Sequence, residues 1–90
     1  MTHDQIIHIL TEHFGAQQEG DHVSLGDQRA TALIEHTGGV LAVSKVHRVT
    51  LHGDLVALTT DEEELYVARE AVFAIRREVK PAEQRPGFGR

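Results

Sequence analysis

The segment 59–81, TTDEEELYVAREAVFAIRREVKP, fits two different structures, and the choice between them decides the fold of the whole chain. Read as a helix over 61–79, it has Thr60 or Asp61 as an N-cap, Glu63 or Glu64 to complete a capping box, and Pro81 to end it. An apolar stripe would then consist of Leu65, Ala68, Val72, Ile75 and Val79. This alternative predicts a single helix that packs on a sheet.

Read as strands, the acidic run that opens the segment becomes a hairpin loop, and Val67 returns opposite Leu58. Residues 68–71 then form a short bend, after which Phe73 and Ile75 share one side of a last strand. The segment is rich in β-branched and aromatic residues, which suit a pleated surface. We therefore favour two short strands that close a small SH3-like or Sm-like barrel.

Before this segment, residues 2–14 predict an amphipathic helix. Its apolar stripe consists of Ile6, Ile7, Leu10 and Phe14. Thr2 or Asp4 is suited to cap the first turn, and Gly15 is suited to end the helix. The fold class expected from the whole pattern is mainly β within α+β.

Residues 21–60 predict a four-stranded antiparallel meander, because three glycine turns separate alternating runs. The turns are Gly26-Asp27, Gly38-Gly39 and Gly53-Asp54. As two-residue loops they predict the pairs Val23–Ala30, Leu25–Gln28, Ile34–Val43, Val49–Leu58 and Leu51–Val56. Alternation then places one apolar set on the core face: Val23, Leu25, Ala30, Ala32, Ile34, Leu41, Val43, Val49, Leu51, Val56 and Leu58.

Lys45 and His47 break this pattern, since an unbroken register puts both on the apolar face. One interpretation is a functional pair that projects into a cavity. The other, which we favour, is a β-bulge near 44–47 that sends Lys45 outward, because a strand over 40–52 is too long to stay flat.

Composition limits the class of protein. The 90 residues predict one domain over 1–80 and a flexible tail over 81–90, and the chain has no cysteine, which excludes disulfides and thiolate chemistry. No membrane-spanning run or signal peptide is evident, so we expect no membrane association and a cytoplasmic location. Charge is uneven: residues 1–68 hold 3 Lys and Arg against 11 Asp and Glu, whereas 69–90 hold 6 against 3.

The stretch GDLVALTTDEEELYVAREAVFAIRRE (53–78), together with the helix at 2–14, resembles the Sm-like family of small β-barrels, which includes the Hfq-type RNA chaperones. The resemblance implies a barrel that assembles into a homo-oligomer and binds RNA. In that family an aromatic-Lys-His triplet contacts the base; the matching positions are Ala68, Arg69 and Glu70, so only a cation at Arg69 is retained.

Two sets of side chains are candidate sites. Asp4, His8 and Glu12 lie at i, i+4 and i+8 on the polar side of the first helix, a spacing that suits a surface metal ion. The alternative, which we favour, is a solvated helix face. The residues predicted to contact nucleic acid or a partner are Arg69, Arg76, Arg77, Lys80, Arg85, Phe88 and Arg90. No catalytic or cofactor motif is present in the sequence.

The function expected from these features is a small non-enzymatic binding or assembly module that self-associates through edge strands or the last apolar segment. The alternative is an Sm-like protein that binds RNA or single-stranded nucleic acid. A third interpretation is a metal-responsive domain that uses its histidines.

Overall fold

The computed structural model describes residues 1–78, which form one short helix and seven antiparallel strands in a single sheet. The elements are α1 (His3–His8), continued by a π-helical turn (Ile9–His13), then β1 (Gln17–Glu19), β2 (His22–Ser24), β3 (Ala30–His36), β4 (Gly39–His52), β5 (Leu55–Thr60), β6 (Glu64–Ala68), a 3-10 turn (Arg69–Ala71) and β7 (Val72–Arg77). The expectation of a mainly β fold with a leading helix is confirmed. The tail predicted over 81–90 lies outside the described residues.

Helix α1 begins with a reciprocal cap. The Gln5 backbone N–H donates to the Thr2 hydroxyl at 3.1 Å, and the Thr2 backbone N–H donates to the Gln5 side-chain oxygen at 2.9 Å. This capping box satisfies two of the N–H groups that a helix start leaves without partners. Ile6 and Leu10 are fully buried, so the helix is fixed to the sheet by the apolar stripe that the sequence predicts.

Strands β3 to β6 form an antiparallel meander, and β7 returns to the other edge of β3. Strand β2 pairs with β4, and β1 pairs with β2. The predicted closure into a barrel is wrong, because β6 pairs with β5 and β7 pairs with β3, and among residues 1–78 the two do not pair with each other. The sheet therefore stays open.

The second and third of the three predicted hairpins have different outcomes. The pairs Val49–Leu58 and Leu51–Val56 are confirmed. In the preceding hairpin Ile34 pairs with Leu41, not with the predicted residue two positions later, because the turn residues are Thr37 and Gly38. The shift of two residues leaves every side chain on its predicted face.

Of the first predicted hairpin only the turn is present, since the Gln28 N–H donates to the Leu25 carbonyl at 3.1 Å. The predicted pairing of Val23 with Ala30 is wrong. Strand β2 lies against β4, with Val23 opposite Val49, and the Leu25 N–H donates to the His47 carbonyl at 2.9 Å. Gly26, at φ 63°, therefore belongs to a loop that crosses from β2 to β3. The space for β2 exists because β4 extends beyond the end of β3.

The face of the sheet on which each side chain lies was predicted better than the pairing of the strands. All members of the predicted core face are buried except Leu41, which is 45% exposed. The core also contains Val46, which a bulge turns inward, and Val72 from the last strand. Alternation within a strand thus predicts burial even where the neighbouring strand is wrongly assigned.

Segment 61–79 contains strands as far as the structure describes it, so the helix alternative is wrong. Val67 pairs with Val56, whereas Leu58, the predicted partner, pairs with Leu65. The predicted bend over 68–71 is the 3-10 turn. The expectation that Phe73 and Ile75 share a side is wrong, because a register shift against β3 makes Phe73 an unpaired bulge residue that is exposed.

None of the helices in the described 78 residues has the length and apolar character needed to cross a membrane.

Candidate functional site

The long strand β4 has one edge that is only half paired. Strand β3 pairs with one edge of β4 from Gly39 to Val46, and β2 pairs with the same edge further along β4. Strand β5 pairs with the opposite edge of β4, from Val46 to His52. Within residues 1–78 no strand pairs with this second edge between Gly39 and Lys45, which we call the open edge.

The open edge exposes apolar side chains. Val40 is 58% exposed and Leu41 is 45% exposed, and together they account for two of the five large hydrophobic residues found exposed in the described chain. An unpaired strand edge with apolar side chains is a template for pairing with another strand.

Strands β1 and β7, two of the other edge strands, carry features that discourage such pairing. Strand β1 is only three residues long and wholly polar. Strand β7 has a bulge at Phe73 and two outward arginines, and the Met1 ammonium donates to the Val72 carbonyl at 2.6 Å. Short length, bulges and charge are the usual protections of edge strands. The open edge lacks them until its end at Lys45.

Two β-bulges mark the end of the open edge and explain the residues that break the alternation. Between the pairs Ala32–Val43 and Ala30–Val46, strand β4 contains one more residue than β3. Lys45 lies in this bulge with φ 61°, a left-handed conformation that is rare for a residue with a side chain. A second register shift, against β5, makes His47 the extra residue. The predicted bulge near 44–47 is therefore present.

Lys45 and His47 consequently do not form a pair inside a cavity. Lys45 is exposed, and His47 is half-buried with its Nε2 atom 3.2 Å from the Thr60 carbonyl oxygen and 4.0 Å from an Asp61 carboxylate oxygen. That same carboxylate lies 3.1 Å from the guanidinium of Arg29. His47 is thus part of a polar cluster at the start of the β5–β6 loop.

Glu78 holds the first bulge in place. Its carboxylate accepts hydrogen bonds from the Lys45 backbone N–H and from the Thr31 hydroxyl, both at 2.8 Å, and its own N–H donates to the Arg29 carbonyl. The Lys45 N–H is the main reason that the pKa of Glu78 lies below its usual value; burial opposes this shift, and the Thr31 hydroxyl reinforces it. The sequence pattern contains no signal for this residue.

The acidic loop between β5 and β6 faces the open edge across a groove. Thr60 organises the loop, since its hydroxyl accepts from the backbone N–H groups of Glu62 and Glu63 at 3.1 and 3.0 Å. Its backbone N–H also donates to the Glu63 carbonyl at 2.8 Å. These local bonds give the loop a defined shape, as Ser and Thr do in tight turns.

The predicted metal row on the first helix is not assembled. The α-helix ends at His8 and a π-helical turn follows, so Glu12 is displaced from the line that Asp4 and His8 define. The described residues contain no group of three or more side chains that is placed to hold a metal ion.

Two of the three described arginines in the predicted partner-contact set make intramolecular contacts. Arg69 donates from Nη1 to the Gly53 carbonyl at 2.6 Å, and its backbone N–H donates to the Asp54 carbonyl at 2.8 Å. The Arg77 guanidinium lies 5.1 Å from the centre of the Phe14 ring, a cation–π distance. These contacts tie the 3-10 turn and the last strand to the rest of the fold.

Arg76 is exposed opposite Thr31. The remaining predicted contact residues, Lys80, Arg85, Phe88 and Arg90, lie outside the described part of the chain. Nucleic-acid binding by the whole set therefore stays a prediction.

No protein-family model, curated protein or solved structure matches this chain.

Proposed function

We propose that the protein is a non-enzymatic assembly module whose copies associate by antiparallel strand addition at the open edge of β4, residues 39–45. The observation that supports this most strongly is the coincidence of unpaired backbone and exposed apolar side chains on one stretch of strand. The Sm-like resemblance and RNA binding stay predictions, and neither is required by this proposal.

Strand addition at a single segment favours a twofold arrangement. When the same stretch from two copies pairs antiparallel, each copy presents an identical surface and the contact closes on itself. The two sheets then continue across the contact, and the backbone groups of the open edge acquire partners. The resulting assembly is a dimer and not a filament.

The expected affinity is weak. Val40 and Leu41 are about half exposed, so burying the remainder gives roughly 1 kcal/mol per side chain, or roughly 4 kcal/mol for both copies. About six new backbone hydrogen bonds add roughly 6 kcal/mol. Association itself costs at least about 4 kcal/mol. The balance is at most about 6 kcal/mol, which predicts a Kd between about 40 µM and 1 mM, typical of a small, transient interface.

Sedimentation velocity over a concentration series through that range tests the proposal. Wild-type protein is expected to shift from monomer to dimer. Val40→Lys and Leu41→Lys place a charge on the open edge and are expected to keep the protein monomeric. Leu55→Lys is the matched control, because Leu55 is 46% exposed but lies on β5, away from the open edge.

Circular dichroism melting checks that each variant is folded, and Val40→Lys is the safer change because Val40 is the more exposed of the two residues. A wild-type protein that stays monomeric throughout the series refutes the proposal. So does a dimer that Leu55→Lys disrupts as strongly as Val40→Lys.

A further inference from the structure

The groove beside the open edge combines an apolar floor with an acidic rim. It encloses about 350 Å³ between residues 41–45 of β4 and the β5–β6 loop. Leu41, Val43 and Leu65 contribute apolar surface, and the loop contributes two acidic residues, Glu62 and Glu63. Asp61 also lines the groove, but its charge is offset by Arg29 at 3.1 Å.

The last described residue contacts a residue that lines this groove. Glu78 is the last described residue, and its carboxylate accepts from the backbone N–H of Lys45, which itself lines the groove. The next twelve residues, VKPAEQRPGFGR, follow Glu78 in the sequence and contain Lys80, Arg85 and Arg90 against the single acid Glu83. Residues 1–78 carry 6 Lys and Arg against 13 Asp and Glu, so the two parts of the chain have opposite net charge.

We propose that the groove binds segment 79–90 of the same chain, with basic side chains against Glu62 and Glu63 and Phe88 on the apolar floor. Charge complementarity, together with the contact of the preceding residue Glu78 with Lys45, selects this occupant. At about 3.3 to 3.6 Å per residue, the segment is long enough to return to the groove from residue 78.

The mode of binding differs from strand addition. Pro81 and Pro86 lack a backbone N–H and interrupt any ladder of hydrogen bonds along the open edge. The contact therefore relies on side chains. Exposed ion pairs are weak, but the segment is tethered to the groove, and a short linker gives an effective concentration in the millimolar range. An intrinsic Kd of about 1 mM therefore leaves the groove about half occupied.

This contact does not depend on the dimer proposed above, but the two share the β4 edge and exclude each other. The experiment is therefore run at a protein concentration below that at which any dimer forms. Because the chain has no cysteine, Gly87→Cys gives a single attachment point for a nitroxide next to Phe88.

Nitroxide broadening of backbone amide signals then locates the segment. We expect strong broadening at residues 41–45 and 61–65, and none at β1. High salt or the double substitution Glu62→Gln with Glu63→Gln is expected to reduce the broadening at least twofold. The matched control, Glu12→Gln with Glu19→Gln, removes the same charge elsewhere and is expected to leave it unchanged.

Three outcomes of this measurement overturn the proposal: no broadening at the groove, broadening spread evenly over the surface, or equal loss in the control. A mixture of isotope-labelled protein without the nitroxide and unlabelled protein with it tests for exchange between copies. Broadening of the same strength in that mixture assigns the contact to a second copy and also overturns the proposal.

Discussion

Replacing Glu78 by Gln tests whether one carboxylate holds the bulge of β4 to the end of β7. The Gln amide oxygen can still accept from the Lys45 N–H and the Thr31 hydroxyl, so the shape of the contact is retained. What is removed is the negative charge. Hydrogen bonds to a charged group contribute about 1.5 to 3 kcal/mol, against about 0.5 to 1.5 for neutral ones.

Two such bonds set an upper limit of roughly 2 to 3 kcal/mol for the effect. Glu78 is only partly buried, and solvent screens its charge, so we expect a loss of about 0.5 to 1 kcal/mol in the free energy of unfolding at neutral pH. The matched control is Glu35→Gln, an exposed carboxylate on β3, which is expected to change stability by less than about 0.5 kcal/mol.

The pH dependence follows from the direction of the pKa shift. The pKa of Glu78 is lower in the folded protein than its ordinary value, chiefly because the Lys45 N–H donates to it. The stabilisation is therefore present in full above the unfolded pKa of about 4.3 and is lost as pH falls through the folded pKa. Wild type and Glu78→Gln should become equally stable in acid.

Urea unfolding followed by circular dichroism at neutral and acidic pH measures this difference. Two results refute the reasoning: a Glu78→Gln variant that matches Glu35→Gln at neutral pH, or a stability difference that persists unchanged in acid.

Three further changes test the structure at other points. A residue with a Cβ pays about 1 to 2 kcal/mol in the left-handed backbone conformation of Lys45, and Lys45→Gly removes that strain. Glycine loses more conformational entropy on folding, at a cost of about 0.5 to 1 kcal/mol, so urea unfolding should show unchanged or slightly higher stability. A clear loss of stability contradicts the bulge geometry. Leu10→Ala empties a fully buried position under the helix and should cost about 2 to 5 kcal/mol in the same assay, and a cost below 1 would contradict its place in the core. Arg69→Ala removes the bond to the Gly53 carbonyl and should lower the melting temperature, whereas an unchanged melting temperature would favour a purely external role for Arg69.

The sequence predicted which segments are strands and on which face of the sheet their side chains lie, because both depend on residues close in sequence. Val23 was placed on the core face, and it is buried, although its predicted partner was wrong. Alternation is a property of one strand, so it is independent of which strand lies alongside. The third hairpin was predicted correctly because Gly53 and Asp54 are the two turn residues, which places His52 opposite Leu55.

Which strands pair with each other was less predictable, because pairing depends on competition among strands that are distant in sequence. Gly26-Asp27 has the composition of a hairpin turn, yet β2 pairs with the far half of β4. Barrel closure failed for the same reason, since nothing local determines whether β6 and β7 meet.

The candidate site lies where the local pattern and the tertiary structure disagree. Leu41 was assigned to the core because it alternates correctly, and it is exposed because no described strand covers the open edge beside it. Periodicity reports the face of a side chain but not the presence of a neighbouring strand. Glu78 was missed because its partners, Thr31 and Lys45, are far away in sequence.

Amide hydrogen exchange of residues 40–44 as a function of protein concentration tests the proposed assembly most directly, since backbone groups that acquire a partner become protected. The proposal predicts that protection on the open edge rises with concentration, while the amides of β1 and β6 do not change. Protection of the open edge that stays the same at all concentrations, or a rise confined to another strand, would contradict it.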